Sequence, residues 1–480
     1  MKIRSLFLAL VALLSTPCAS ADPRVELTRA FLTGNAQLDA LAPMAAFAPS
    51  VDARAPSHTF RGVLHFDLTM TGFRGRIDTF HYANNRQLRL RAPPPFEMEL
   101  VQVGDELVPA LRGPVVSGHP QWDISVEPGR VWDEPADGGL TRAAVPFALV
   151  ETVANCTHNG VLTFVFDDAA TISRVAWEIA SETCAYNQFD AWGVSQATYR
   201  RGAPHADAIA AAYALERAAR MPSKPFAQLA VDHPGVDLSA FASPADIHPA
   251  SLTTFGVIAD GVHYLGGCET RAGPYPFCEN IDVPSYSLAK TLVGALGLMR
   301  MEALNPGASQ ELISAHVPAC GAWDGATFLN ALDMAAGRYR SAEDQADENA
   351  MTDSAFFVTT QHATKIHLAC TMFPGREAPG QRWVYHTSDT YALGTAMQDF
   401  WRARHGASAD FFNDVLVDGV YAPLHLSPTI RATRRTLDSS AQPFTGWGLT
   451  LMRDDIAKLG QYLVAREHAP LVSAAMLDAG

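Results

Sequence analysis

A lysine in the first turn of a helix that is apolar on every face is the feature that most narrows what this chain can become. From Leu288 to Met299 nearly every side chain is apolar. Such a helix has no face to offer water, so it belongs inside a thick core, and the run is too short to span a bilayer. Pro284 and Ser285 mark its start, with proline ahead of the helix and serine as its cap. Lys290 then falls in the first turn, where burial and the positive end of the helix dipole both disfavour an ammonium. The position predicts a neutral amine at working pH. Ser287 stands three residues earlier and shares a face with Lys290. A hydroxyl within reach of a neutral amine is a nucleophile with its base, and the Ser287 amide, an unpaired first-turn donor, is placed to meet a developing oxyanion. The same spacing also fits a capping serine beside a snorkelling lysine.

A core of that kind needs a large chain. This one has 480 residues, 48% hydrophobic and 18% charged, which is a globular composition with room for more than one domain. The formal net charge of −14 comes with no basic stripe or block, which excludes nucleic acid as the expected partner. Met1 to Ala21 reads as a secretory leader: Lys2 and Arg4, an apolar stretch from Leu6 to Leu14, and the small-residue cleavage site Ala19-Ser20-Ala21. No other run is long and apolar enough for a transmembrane anchor. The reading is a periplasmic or secreted protein.

Seven cysteines are present, and setting aside Cys18 in the leader leaves an even six. In an exported chain that count points to three disulfides. Sequential pairing is favoured: Cys156–Cys184, Cys268–Cys278 and Cys320–Cys370, with buried free thiols as the alternative. No Cys-x-x-Cys occurs, and His362 and His367 have only Cys370 near them, so neither a metal nor another cofactor is expected.

Along the chain, residues 22–204 read as a mostly-β domain. A helical patch follows Val25, and Arg61 to Thr71 alternates as a strand does. Turn clusters recur at Thr71-Gly72, Ala83-Asn84-Asn85, Gly104-Asp105, Glu127-Pro128-Gly129 and Asp137-Gly138-Gly139, separated by strand-like runs such as Val161–Phe166 and Ile172–Ile179. That spacing predicts a sandwich or barrel, with hairpin turns at Asn159-Gly160 and Asp167-Asp168. Residues 205–250 read as a helix, His205 to Arg220, and a proline-containing linker. Residues 251–480 form the second unit. Two strands flank the hairpin turn Asp260-Gly261, the Ser287 helix comes next, and mostly helical segments follow, including Ala326–Ala336.

The order of motifs in this second unit resembles the serine β-lactamase and penicillin-binding-protein superfamily. The nearest branch is that of class C β-lactamases, family VIII-type esterases and 6-aminohexanoate-dimer hydrolases. Ser287-x-x-Lys290 matches its first motif. Leu332-Asp333-Met334-Ala335-Ala336-Gly337 resembles its Leu-x-Met-x-Ser-Gly stretch, with Ala336 in place of serine. Pro379-Gly380 followed by Tyr385, and the run Tyr385-x-Thr387-x-Asp389-Thr390-x-x-Leu393-Gly394, resemble its second motif. Gly448-Leu449 through Gly460 resembles the helix start after it. The resemblance covers about Leu252 to Gly480 and implies an α+β fold, an antiparallel sheet with a helical region, here preceded by a separate mostly-β domain of unknown role.

It also implies roles: Ser287 as the acyl-accepting nucleophile, Lys290 as its base, Tyr385 as proton shuttle to the leaving group. Thr387 either binds substrate or caps its loop. Substrates would be small esters, amides or peptides, with a β-lactamase or DD-peptidase as the alternative. A non-catalytic binding or sensing protein on the same fold is the alternative from another class. Two positions depart from the family pattern. Thr387 stands where β-lactamases carry asparagine, which weakens a β-lactam-specific reading. The strand bearing the third motif is expected after the Gly460 region, so it would lie beyond Gly480; Trp447-Gly448 precedes the helix and is not read as that motif. His386 reads as structural, Tyr82-Ala83-Asn84 as a chance match to a Tyr-x-Asn motif, and the oligomeric state is not legible.

Overall fold

A computed structural model describes residues 25–352, 355–465 and 471–479. The leader expected over Met1 to Ala21 lies outside the described residues.

The strand-rich half is built on one eleven-stranded sheet. Its strands are β1 (Arg61–Phe66), β2 (Gly72–Asp78), β3 (Phe96–Val103), β4 (Glu106–Pro109), β5 (Trp122–Val126), β6 (Gly129–Asp133), β7 (Thr141–Glu151), β8 (Thr157–Phe166), β9 (Val175–Thr183), β10 (Asn187–Ser195) and β11 (Ala197–Arg201). They pair in the order β11-β1-β3-β4-β6-β7-β8-β9-β10-β2, with β5 added on β7, and every pairing is antiparallel. β10 and β11 are one run broken only at Gln196, yet β11 ends the order on one side and β10 is next to last on the other, so the chain itself links the two sides and the sheet curls round a core. Rings from distant parts of the order meet there: Phe60 stacks on Tyr199 of β11 at 4.1 Å and meets Phe166 of β8 edge-on at 5.2 Å.

β8 and β9 are buried along almost their whole length, for a reason visible in their period of two. Leu162, Phe164 and Phe166, with Val175, Trp177 and Ile179, face the interior of the curled sheet. Val161, Val165, Ala176 and Ala180 face outward into a second core. That second core belongs to the other half of the chain and contains the Ser287 helix. It also holds the helix Thr387–His405, of whose 19 residues 13 are buried. The architecture is α+β: a mostly-β N-terminal region packed by one outer face against a mostly helical region with its own small sheet.

In that small sheet, β13 (Thr254–Ala259) and β14 (Val262–Gly267) form the expected hairpin. Asp260 and Gly261 both have positive φ, 48° and 76°, as a two-residue hairpin turn matching the strand twist requires. β12 (Ser223–Pro225) adds in parallel beside β14, so the segment expected as pure linker contributes a strand. The helix expected over His205 to Arg220 spans Ala206–Ala219.

Two local expectations are corrected. Asn159-Gly160 is not a turn but lies inside β8, at a register irregularity opposite β9. The Asn159 side chain is spent on a distant partner, donating to the Asp282 carbonyl at 2.8 Å and accepting from its amide at 3.3 Å. A Cβ on Gly160 would sit 2.7 Å from the Glu178 carbonyl oxygen, so glycine is there for close backbone approach. Ala326–Ala336 is helical only over Phe328–Leu332. A Thr327–Asn330 capping box opens it, and Met334, with φ 50°, turns the chain away.

The three cysteine pairs are those expected: Cys156–Cys184, Cys268–Cys278 and Cys320–Cys370. Such bonds form and persist in oxidising compartments. No described helix is long and apolar enough to cross a membrane.

Candidate active site

The segment before Ser287 is not a helix cap but a short strand. Val283–Pro284 pairs with Thr450–Leu451. Ser285 donates its amide to the Leu449 carbonyl (2.9 Å), and its hydroxyl accepts from the Leu449 amide (3.2 Å), so its side chain serves the neighbouring strand. Tyr286 then takes a left-handed φ of 41°, an uncommon conformation for an aromatic residue, and swings the chain into the helix. The helix begins with a π-helical stretch, Lys290–Ala295, and becomes α-helical over Leu296–Leu304. The Tyr421 hydroxyl donates to the Leu292 carbonyl in that stretch at 2.8 Å, satisfying a buried acceptor.

This path into the helix leaves Ser287 exposed and Lys290 buried, with 8% of its surface accessible. The Lys290 side-chain nitrogen Nζ lies 3.0 Å from Ser287 Oγ, 2.9 Å from Thr387 Oγ1 and 3.4 Å from the Gly446 carbonyl oxygen. Tyr385 donates its hydroxyl to Ser287 Oγ at 2.5 Å, and its ring centre is 4.7 Å from Lys290 Nζ. The amides of Leu288, Ala289 and Lys290 bond back to Ser285, Tyr286 and Ser287, while the Ser287 amide takes part in none of these turn bonds. The four residues singled out in the sequence, Ser287, Lys290, Tyr385 and Thr387, thus meet at one point.

Tyr385 is held by the segments named with it. The Val384 amide donates to the Met334 carbonyl (3.0 Å) and the Gly380 amide to the Ala335 carbonyl (2.8 Å), tying the Pro379-Gly380 loop to the stretch ending at Gly337. His386 is buried, stacks on Phe373 at 4.2 Å and lies 3.1 Å from Asp347 and 3.6 Å from Asp389. Burial alone lowers the pKa of its ring, but the Asp389 and Asp347 carboxylates outweigh burial and raise it. Asp347 opens the way to a residue no motif signalled. Its neighbour Glu348 accepts the Thr387 hydroxyl at 2.5 Å and the Thr387 amide at 2.9 Å. The Thr387 hydroxyl therefore links Lys290 to a carboxylate.

Ser287 opens into a cavity of about 220 Å³ whose lining comes from both halves of the chain. The helical half contributes Tyr286, Glu348, Phe357, Thr387, Gly446 and Trp447; the strand-rich half contributes Phe80, Tyr82, Tyr186 and the run from Glu151 to Asn155, apart from Thr152. Asn155 joins the two halves. It is buried, and its side-chain oxygen Oδ1 accepts from the Tyr286 amide (2.9 Å), the Gly448 amide (3.1 Å) and the Ser285 hydroxyl (3.2 Å), while its Nδ2 donates to the Leu449 carbonyl at 3.3 Å. The Cys156–Cys184 bond follows immediately and staples this run near Tyr186. Glu151 is buried; burial raises its pKa, against hydrogen bonds from Tyr186 (2.7 Å) and Gln121 (3.1 Å). None of these strand-rich residues carried a signal in the sequence. Tyr82 stands in the cavity wall, although its Tyr-Ala-Asn context reads as chance.

No known protein-family profile matches this chain, and no curated protein sequence does. Among solved structures it is similar in part to a protein assigned as a 6-aminohexanoate-dimer hydrolase, from Bacillus anthracis. The identity is 14% and the TM-score 0.35, over 47% of this chain and 58% of that one. A protein assigned as a β-lactamase, from Bacteroides dorei, is 12% identical with a TM-score of 0.33, over 47% of this chain and 62% of that one. EstCE1, a hydrolase with promiscuous acyltransferase activity, is 16% identical with a TM-score of 0.35, over 55% and 75%. The chain spans less than two thirds of the first two.

Proposed function

We propose that this chain is an exported serine hydrolase that cleaves ester or amide bonds through an acyl-enzyme on Ser287. The observation that carries the reading is the convergence on Ser287 Oγ of Lys290 Nζ at 3.0 Å and Tyr385 hydroxyl at 2.5 Å, at the mouth of a cavity. A hydroxyl is a weak nucleophile until a neighbouring base takes its proton. In this reading Lys290 is that base. Ser287 Oγ bonds to the substrate carbonyl carbon while its proton passes to Lys290 Nζ, and the charge on the carbonyl oxygen faces the Ser287 amide. Tyr385 gives its proton to the leaving alcohol or amine and regains one from Lys290. Water then attacks the acyl carbonyl by the same route in reverse and frees Ser287. Thr387 and Glu348 orient the lysine. The leader and the three disulfides support export.

The test is hydrolysis of a panel of simple esters and amides by the wild type and by Ser287→Ala, Lys290→Met and Tyr385→Phe. Loss of turnover to background in the serine variant and a fall of about 100-fold or more in the other two is expected. A Ser287→Ala protein with wild-type turnover rules the reading out.

A further inference from the structure

The strand-rich half has no role in the chemistry just described, yet it forms one wall of the cavity that holds Ser287. From this we infer that the strand-rich half is the substrate-selecting part of the site, and that it selects an apolar, ring-sized group, and not an anionic one, beside the scissile bond. The inference rests on the Ser287 reading and adds the substrate class to it.

The wall is built for this position. Phe80, Tyr82 and Tyr186 form one ring cluster, with centroids 5.2 to 6.2 Å apart. Phe80 remains 36% exposed, a large apolar side chain kept at the cavity instead of in the sheet's interior. Tyr286, Phe357 and Trp447 line the same cavity, and Trp447 donates its ring N–H to the Val153 carbonyl at 3.2 Å, tying the two halves together. Tyr286, next to the nucleophile, reaches into the strand-rich half and donates to the Thr183 carbonyl at 3.1 Å. Ser287, Tyr286 and the Phe80 cluster therefore line one cavity.

Its chemistry disfavours an anion. Two carboxyl groups, Glu151 and Glu348, line it, and no Lys, Arg or His side chain does among the described residues, so an anionic substituent meets no counter-charge. Both carboxyl groups are already engaged, Glu151 by Tyr186 and Gln121 and Glu348 by Thr387, and the three rings pack against each other. What remains is an aromatic surface for stacking. A cavity of about 150 Å³ is enough for benzene, so the roughly 220 Å³ here holds one ring and the scissile group.

The experiment compares kcat/KM by pH-stat titration for ethyl acetate, ethyl phenylacetate (ring on the acyl side), benzyl acetate (ring on the leaving side) and the anionic ester monoethyl succinate. Wild type should prefer one of the ring esters over ethyl acetate by about tenfold or more, and monoethyl succinate should be the poorest. Phe80→Ala should bring the ring-to-ethyl ratio down at least about fivefold, and Phe80→Trp should restore it. A ratio near one in the wild type, or a ratio unchanged by Phe80→Ala, overturns the inference while leaving the Ser287 reading intact. A wild type that hydrolyses none of these esters and whose Ser287 takes no fluorophosphonate label overturns both.

Discussion

Asn155→Ala removes one side chain from the strand-rich half and should disable a site in the other half. Asn155 makes four hydrogen bonds to the two segments that flank Ser287, and it is buried, so water does not replace it. Each such bond contributes about 1 kcal/mol net, and the Tyr286 and Gly448 amides, left without an acceptor, each add about 1–3 kcal/mol of desolvation. Allowing for relaxation, the expected loss is about 3–5 kcal/mol, a large share of a typical stability. The catalytic effect follows from Tyr286. Its left-handed φ of 41° is maintained by the bond from its amide to Asn155, and release of that bond lets Ser287 drift. A misplacement of about 1 Å costs roughly 100-fold in rate. Urea unfolding and the rate of fluorophosphonate labelling measure the two effects. Asn155→Asp keeps the acceptor oxygen and should lose less of both. An Asn155→Ala protein that unfolds within about 1 kcal/mol of wild type and labels at the wild-type rate refutes the reasoning.

Further outcomes follow from the same contacts. Lys365 is fully buried among the rings of Phe356, Tyr391, Phe444 and Trp447, and burial pushes its pKa down to about 7. The unfolded chain then binds more protons between pH 7 and about 10, so wild-type stability measured relative to Lys365→Met should rise by about 2–3 kcal/mol from pH 7 to 9; a flat difference by urea titration contradicts this. His386, with its pKa raised, contributes stability that is complete below about pH 6.5 and lost as pH climbs through the raised value. His386→Gln should flatten that part of the pH–stability curve. A Cβ at Gly446 would meet Thr387 Cγ2 at 2.6 Å, so Gly446→Ala should displace Thr387 and cost about 1–3 kcal/mol in thermal unfolding. Removing the Cys320–Cys370 bond, which closes 50 residues, should cost about 4 kcal/mol, more than the roughly 3 kcal/mol for the 10-residue Cys268–Cys278 loop.

The Ser287–Lys290 pair was legible in the sequence because both residues lie on one helix turn, where spacing alone fixes proximity. Tyr385 and Thr387 needed the order of several motifs, since their approach to Ser287 depends on how the Pro379-Gly380 loop ties to Met334 and Ala335. The disulfides followed from an even count and the Asp260-Gly261 hairpin from turn chemistry. Asn159-Gly160 misled because its turn-forming side chain is used across the interface with Asp282. The cavity wall from Phe80, Tyr82, Glu151, Asn155 and Tyr186 left no trace, because residues on the loops and strand ends of a different half carry no local pattern that says what they face. Glu348 was silent for the same reason: it sits in a polar stretch and gains its meaning only through Thr387.

The central claim is that Ser287 forms a covalent acyl-enzyme-like adduct, and intact mass after incubation with a fluorophosphonate, followed by peptide mapping, tests it most directly. The account predicts a single adduct on Ser287 in the wild type, none in Ser287→Ala, and much slower labelling in Lys290→Met. An unlabelled wild type, or a label that persists in Ser287→Ala, contradicts it.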